Sequence, residues 1–247
     1  MKATAFEFRF RMLINLAIVL LGFWAPWTAS SSAGPRIAMF EWLPLQLSRL
    51  GLLTFSIGSP VVIILAALIA FIGAALRVWG AAWLGPATVQ HGEMQAGAVM
   101  ADGPYRFVRN PLYLGLWCML AALSFLMLPA GALFTVVLSS LFLLRLIFGE
   151  EAFLSAQLGA RYQNYLSAVP RLVPRLRSTL LSTGRSPHWI RSVFSELTPI
   201  GVFFTLAFLS WTYDNRLIMR AILITFGASL VVRALMPAIS KETTLPR

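Results

Sequence analysis

Residues 101–115 read Ala101-Asp102-Gly103-Pro104-Tyr105-Arg106-Phe107-Val108-Arg109-Asn110-Pro111-Leu112-Tyr113-Leu114-Gly115. This is the densest polar and conformationally restricted run in an otherwise apolar chain. Gly103-Pro104 signals a turn, since glycine tolerates positive φ and proline holds φ near −65°. Asn110-Pro111 reads as a helix start. The Asn110 side chain is suited to accept from free backbone N–H groups, and proline at the first helical position lacks only a donor that would be orphaned anyway. By itself the run is equally well punctuation before a membrane helix.

The flanking composition decides what it punctuates. The chain is 58% hydrophobic and 12% charged, where a soluble domain carries about a quarter charged residues, so a polytopic membrane protein is expected. The fold class is all-α: a transmembrane helical bundle of about six spans, with a cytosolic amphipathic helix after the fourth. The net charge of +11 sits mainly in loops, so topology and anionic headgroups account for it, and nucleic acid is not expected as a partner. One cysteine, Cys118, excludes an internal disulfide, and two histidines, His91 and His188, are too few for a histidine metal centre. No metal is expected.

The chain divides into residues 1–59, a first span with an interfacial segment; 60–178, a catalytic core; and 179–247, a linker with two further spans. Lys2, Arg9 and Arg11 precede the first apolar run, Met12 to Trp27. Together with Ala29–Ala33 this start imitates a signal peptide, but the run is long and ends in Trp24 and Trp27, as interface anchors do. Residues 37–53, interrupted by Pro44, suggest a segment lying at the interface. The second span runs from about Pro60 to Leu84, with Arg77 inside its last third, there either to function or to snorkel. Spans 111–128 and 130–148 join through Pro129-Ala130-Gly131, which forces an antiparallel hairpin. Residues 149–178 read as the amphipathic helix, a surface element on headgroups, with Tyr162 and Tyr165 on one face. Spans near 197–213 and 217–236 end the chain.

Six spans put both termini on one side. Of the 20 Lys and Arg, only Arg36, Arg49, Arg216 and Arg220 then fall on the far side. The positive-inside rule makes the other side, with the termini and motif loops, cytoplasmic.

A second block, Gly149-Glu150-Glu151-Ala152-Phe153-Leu154, then Leu158-Gly159-Ala160-Arg161-Tyr162-Gln163-Asn164-Tyr165 and Val169-Pro170, follows the hairpin. With the first block it resembles the isoprenylcysteine carboxyl methyltransferase family, whose relatives include the phospholipid N-methyltransferases. That family's pattern is roughly G-x-Y-x-x-x-R-H-P-x-Y-x-G, a helical hairpin, then E-E, F-G-x-x-Y-x-x-Y and V-P. The resemblance covers about residues 77–175. It implies S-adenosylmethionine as methyl donor. The donor contacts it implies are Gln90, Gly97, Ala98, Val99, Met100, Tyr105, Asn110, Pro111, Leu112, Tyr113 and Glu150, and the catalytic candidates are Arg145, Glu151 and Arg109. Two departures stand out. Leu158 replaces the family Phe, and Asn110 replaces the commoner histidine. An amide keeps a hydrogen bond but does not titrate near neutral pH, so Asn110 is a binding residue or a cap rather than a base. The family's substrate-carboxylate arginine falls one residue from Arg145. On an ideal helix Arg145 and Glu150 lie about 140° apart and should not pair, unless Gly149 breaks the helix.

The implied acceptor is an isoprenylcysteine-type carboxylate on a lipidic substrate that enters from the membrane lipids. The alternatives are a phospholipid amine or a small thiol as acceptor, a nicotinamide-dependent membrane reductase, and a scaffold or transporter that keeps the fold. The oligomeric state is not readable from the sequence.

Overall fold

The computed structural model is all-α and describes residues 2–27, 37–84, 101–178, 180, 182 and 186–235. In chain order its helices are α1 (Ala5–Arg9), α2 (Arg11–Trp24), α3 (Met39–Arg49), α4 (Phe55–Leu84), α5 (Pro111–Ser124), α6 (Pro129–Leu158), α7 (Ala160–Ala168), α8 (Trp189–Ser195), α9 (Leu197–Leu209) and α10 (Asn215–Leu235). Short 3₁₀ turns at Gly103–Arg106 and Ser210–Thr212 complete the described secondary structure.

The 30-residue helices α4 and α6 carry the architecture. At ~1.5 Å per residue each is about 45 Å long, more than a ~30 Å hydrocarbon core requires. Their sequences are apolar nearly all round, as lipid-embedded helices must be when no water-facing side exists. Large side chains such as Ile64, Leu68 and Phe71 on α4 and Leu133, Val137 and Leu141 on α6 stay exposed, which in a bilayer places them against acyl chains.

Among the described residues α4, α6 and α10 are long and apolar enough to cross a membrane, and the bent pair α8–α9 makes a fourth. The expected count of about six is not reached on that measure. The helices α2 and α5 are apolar but hold only 14 residues each, about 21 Å at ~1.5 Å per residue. The expected amphipathic helix also differs. Gly149 does not interrupt α6, which runs on through Glu150 and Glu151 to Leu158. Gly149 instead lets the N-terminal segment approach: a Cβ there would lie 3.3 Å from the Ala3 carbonyl oxygen. The break falls at Gly159, whose φ of +54° suits glycine.

The central packing is α4 along α5 and α9, with α2 along α6 and α10 along α9. The α4–α5 crossing is made by two glycines. A Cβ on Gly73 would stand 2.9 Å from the Gly115 carbonyl oxygen, and one on Gly115 would stand 2.8 Å from that of Gly73. Such small-residue crossings let backbones touch where lipid offers no hydrophobic drive for association. One buried cluster joins Val62, Ala70, Ala122, Leu126, Val202 and Leu206, and another joins Phe8, Ile18, Leu120, Phe142 and Leu146. The first ties α4 and α9 to the C-terminal end of α5, and the second ties α1 and the middle of α2 to α5 and the middle of α6.

Candidate active site

The first motif block folds as a 3₁₀ turn that enters α5. Gly103 has φ +54°, and the Trp83 ring occupies the space a Cβ would need, so the turn admits only glycine there. Tyr105 is buried in this turn, its hydroxyl aimed at the Gly80 carbonyl 3.5 Å away. Its own carbonyl accepts a 2.8 Å hydrogen bond from the Tyr165 hydroxyl. Burial, with the Glu150 charge adding to it, pushes the Tyr105 phenol well above its ordinary range, so it stays a donor. Tyr162 and Tyr165 are buried under the turn with Val169 and Leu154. The expected surface helix is thus a prop for the motif loop, because its two tyrosines face protein rather than headgroups. Arg106 donates twice to the Leu180 carbonyl, at 3.0 and 2.6 Å, and anchors the loop.

Asn110 occupies the N-cap position of α5 with Pro111 behind it, as the sequence indicates, but its side chain does not cap. The amide nitrogen donates instead to Glu151 Oε1 and to the Arg171 carbonyl, both at 3.2 Å. Glu151 is the hub of a buried tie. Arg171 donates to its Oε2 through Nε at 3.0 Å and Nη2 at 2.8 Å. Arg109 Nε lies 3.5 Å from Oε1. The Arg171 guanidinium also stacks over Phe148, 4.7 Å from the ring centre. Backbone bonds run in parallel, from Arg109 N to the Pro170 carbonyl at 2.9 Å and from Arg175 N to the Phe107 carbonyl at 3.0 Å. Glu151 and Arg109, expected as catalytic, therefore lock the two motif blocks and the 170–175 segment together. Arg171 had no assigned role in the sequence; its one signal is its place directly after Val169-Pro170.

Neighbouring helix positions point about 100° apart, which sends Glu150 and Glu151 to different surroundings. Glu150 lies within electrostatic reach of the Tyr113 phenol on α5, of Tyr105 and of Arg11. Leu112 packs into the space left by the missing side chain of Gly80, and Pro111 is buried beside it. Tyr105, Pro111, Leu112, Tyr113 and Glu150 are thus brought to one end of α4, α5 and α6. Gln90, Gly97, Ala98, Val99 and Met100 lie outside the described residues.

Arg145 stands apart from this group. Its guanidinium grips Glu7, with Nε 3.1 Å from Oε1 and Nη2 2.9 Å from Oε2, while Ala3 N donates to the Arg145 carbonyl at 3.0 Å. Because α6 continues unbroken, Arg145 and Glu150 keep the separation an ideal helix requires. Glu7 was not singled out by sequence, and Arg11 only as part of the positive start, although Thr4-x-x-Glu7 is a capping box, present in full here.

A carboxylate and two phenols are thus gathered at one end of lipid-facing helices. Residues 61–161 match the phospholipid methyltransferase family. That family comprises integral membrane methyltransferases related to the isoprenylcysteine enzymes, the same group that the motifs resemble. Comparison with curated proteins and with solved structures gives no match.

The family implies S-adenosylmethionine as donor, and the described residues fit such a molecule. A half-buried carboxylate flanked by phenol donors suits a cationic, hydroxyl-bearing group, which gains an ion pair and hydrogen bonds in a low-dielectric setting.

Proposed function

We propose that this protein transfers a methyl group from S-adenosylmethionine to a lipidic acceptor presented by the bilayer. The observation that carries this is the grouping of Glu150, Tyr113 and Tyr105 inside the family-matched segment. The donor, when bound, supplies an electrophilic methyl on a positive sulfur. Tyr113 stands beside Glu150, within electrostatic reach of its carboxylate. The carboxylate is the group that would accept from the ammonium or ribose of the donor, or from an acceptor amine. Packing of α4 and α5 around the group keeps water away, and alignment of two bound reactants supplies several kcal/mol of the barrier reduction.

Two acceptor classes differ in what they ask of these residues. An isoprenylcysteine-type carboxylate, named by the motif resemblance, is already ionised and needs only a cationic clamp. The arginines that the resemblance offers for that role, Arg145 and Arg109, already face Glu7 and Glu151, and Arg11 stands beside Glu150 itself. A phospholipid headgroup amine must lose a proton, and Glu150 is the acidic side chain that is not spent on the tie between motif blocks. The arrangement of these charges favours the amine.

Binding of S-adenosylmethionine and its demethylated product to purified protein tests the reading. Saturable micromolar affinity is expected for wild type, lost in folded Glu150→Ala and weakened about tenfold in Tyr113→Phe, which removes a hydroxyl donor beside that carboxylate. Absence of binding by folded wild type, in lipid as in detergent, overturns it. Labelled methyl transfer to an amine phospholipid and to a farnesylated cysteine then separates the acceptors. An amine gives a rate that climbs toward the amine's own pKa, whereas a carboxylate gives a flat profile above about pH 5.

A further inference from the structure

Arg77 is fixed inward, which settles whether its stem snorkels. It lies on α4 with only 15% of its side chain exposed. Its guanidinium forms a two-point fork on Glu196, through Nε to Oε2 and Nη2 to Oε1, the latter at 2.8 Å. The third nitrogen, Nη1, points to the Leu112 carbonyl at 3.4 Å, in the first turn of α5. Gly73, Arg77 and Gly80 are spaced four and three apart, so they share one face of α4. That face touches Gly115, then Leu112, then Tyr105: a Cβ on Gly115 would come within 2.6 Å of Arg77 Cγ, and one on Gly80 within 2.8 Å of Leu112 Cδ2. Arg77 is therefore the polar rung in the surface on which the donor-side residues rest.

Glu196 comes from outside the family-matched segment. It sits at the 70° bend between α8 and α9, and its side chain is wholly buried. Further bonds fasten this bend. His188 N donates to the Ala82 carbonyl at 2.8 Å, and Arg233 Nη2 on α10 donates to the Ser195 carbonyl at 2.8 Å. A buried ion pair is weak evidence for stability, because desolvating two charges offsets much of their attraction. Its rigid two-point geometry does specify where the guanidinium stands. Charged groups at membrane depth, beside a break in a helix, are functional candidates by default.

We propose that Arg77 and Glu196 are positioning residues of the methyl-donor site: their ion pair sets α4 against the first turn of α5 and so aims Tyr113 and Tyr105 at Glu150. The C-terminal helices, beyond the family-matched core, then serve the reaction by delivering Glu196. This inference rests on the methyltransferase reading.

The test pairs S-adenosylmethionine titration with thermal unfolding for wild type, Glu196→Gln and the double variant Arg77→Leu/Glu196→Leu. The double variant removes this pair but leaves Arg233, which also interacts with Glu196, beside the vacated site, so its unfolding temperature is expected to stay within a few degrees of wild type. Its donor affinity is expected to fall roughly tenfold or more, because no cation remains to hold the Leu112 carbonyl. A double variant of wild-type stability that binds donor like wild type overturns the inference and leaves the proposed function standing. Should the double variant not fold, the near-isosteric Glu196→Gln decides: weakened affinity at unchanged unfolding temperature supports the inference, and unchanged affinity overturns it. Wild type that binds no donor overturns the proposed function, and this inference with it.

Discussion

Asn110 stands at a helix N-cap without capping: its side chain is oriented so that the amide nitrogen donates to the buried Glu151 carboxylate, a charge-assisted bond, rather than placing its oxygen over the helix N–H groups. Partners of this kind separate the three glutamates near the site. Glu151 is consumed by Arg171, Arg109 and Asn110; Glu150 faces a phenol; Glu7 faces Arg145. For Glu7 a pH dependence follows. The Arg145 hydrogen bond, then the Thr4 backbone N–H, hold its carboxyl at about 2, against an ordinary 4.5. A carboxyl whose folded-state value is depressed contributes stability above its unfolded value and loses it as pH falls through the folded one. Wild type should therefore lose thermal stability between pH 4.5 and 2 more steeply than Glu7→Gln, and exceed the variant above pH 4.5. Parallel unfolding curves across that window would show that the Glu7–Arg145 contact contributes nothing.

At the scale of elements, the α4–α5 crossing is where helix geometry and the site meet. Gly115 faces backbone on one side and the Arg77 stem on the other, so any side chain there must push α4 and α5 apart. Gly115→Val is expected to cost about 3 kcal/mol, the upper end for overpacking, because a backbone carbonyl cannot rotate away. The loss should appear as a lowered unfolding temperature, accompanied by weaker donor binding as Leu112 and Tyr113 shift. An unfolding temperature equal to wild type would mean that the crossing is looser than its geometry. Gly149 shows the opposite case. Its sequence context suggested a helix break, yet α6 stays continuous, because a glycine costs a buried helix only about 1 kcal/mol and the space it leaves is filled by Ala3.

For the whole molecule, the distribution of arginines predicts an orientation. Thr54, between α3 and α4, and Ser167, near the end of α7, are both exposed and fall at opposite ends of the bundle's sequence topology. In intact cells a membrane-impermeant thiol reagent should label Thr54→Cys, and should label Ser167→Cys only after permeabilisation. The reverse pattern would invert the orientation. The all-helical class, the hairpin of α5 and α6 and the turn at Gly103-Pro104 were readable from residue order, since apolar runs, Gly and Pro act locally. By length and apolarity the described residues hold three or four spans, because α2 and α5 end before their apolar runs do. The partners of charged residues were not readable from residue order. Glu7 with Arg145, Glu151 with Arg171 and Arg77 with Glu196 are separated by 138, 20 and 119 positions. Composition and local pattern determine which segments are helical and lipid-facing, as each helix meets its own backbone hydrogen bonds and bilayer environment. Which carboxylate meets which arginine, and so which is left facing the site, is decided only when the helices pack, because desolvation makes every buried charge seek a partner wherever the chain brings one.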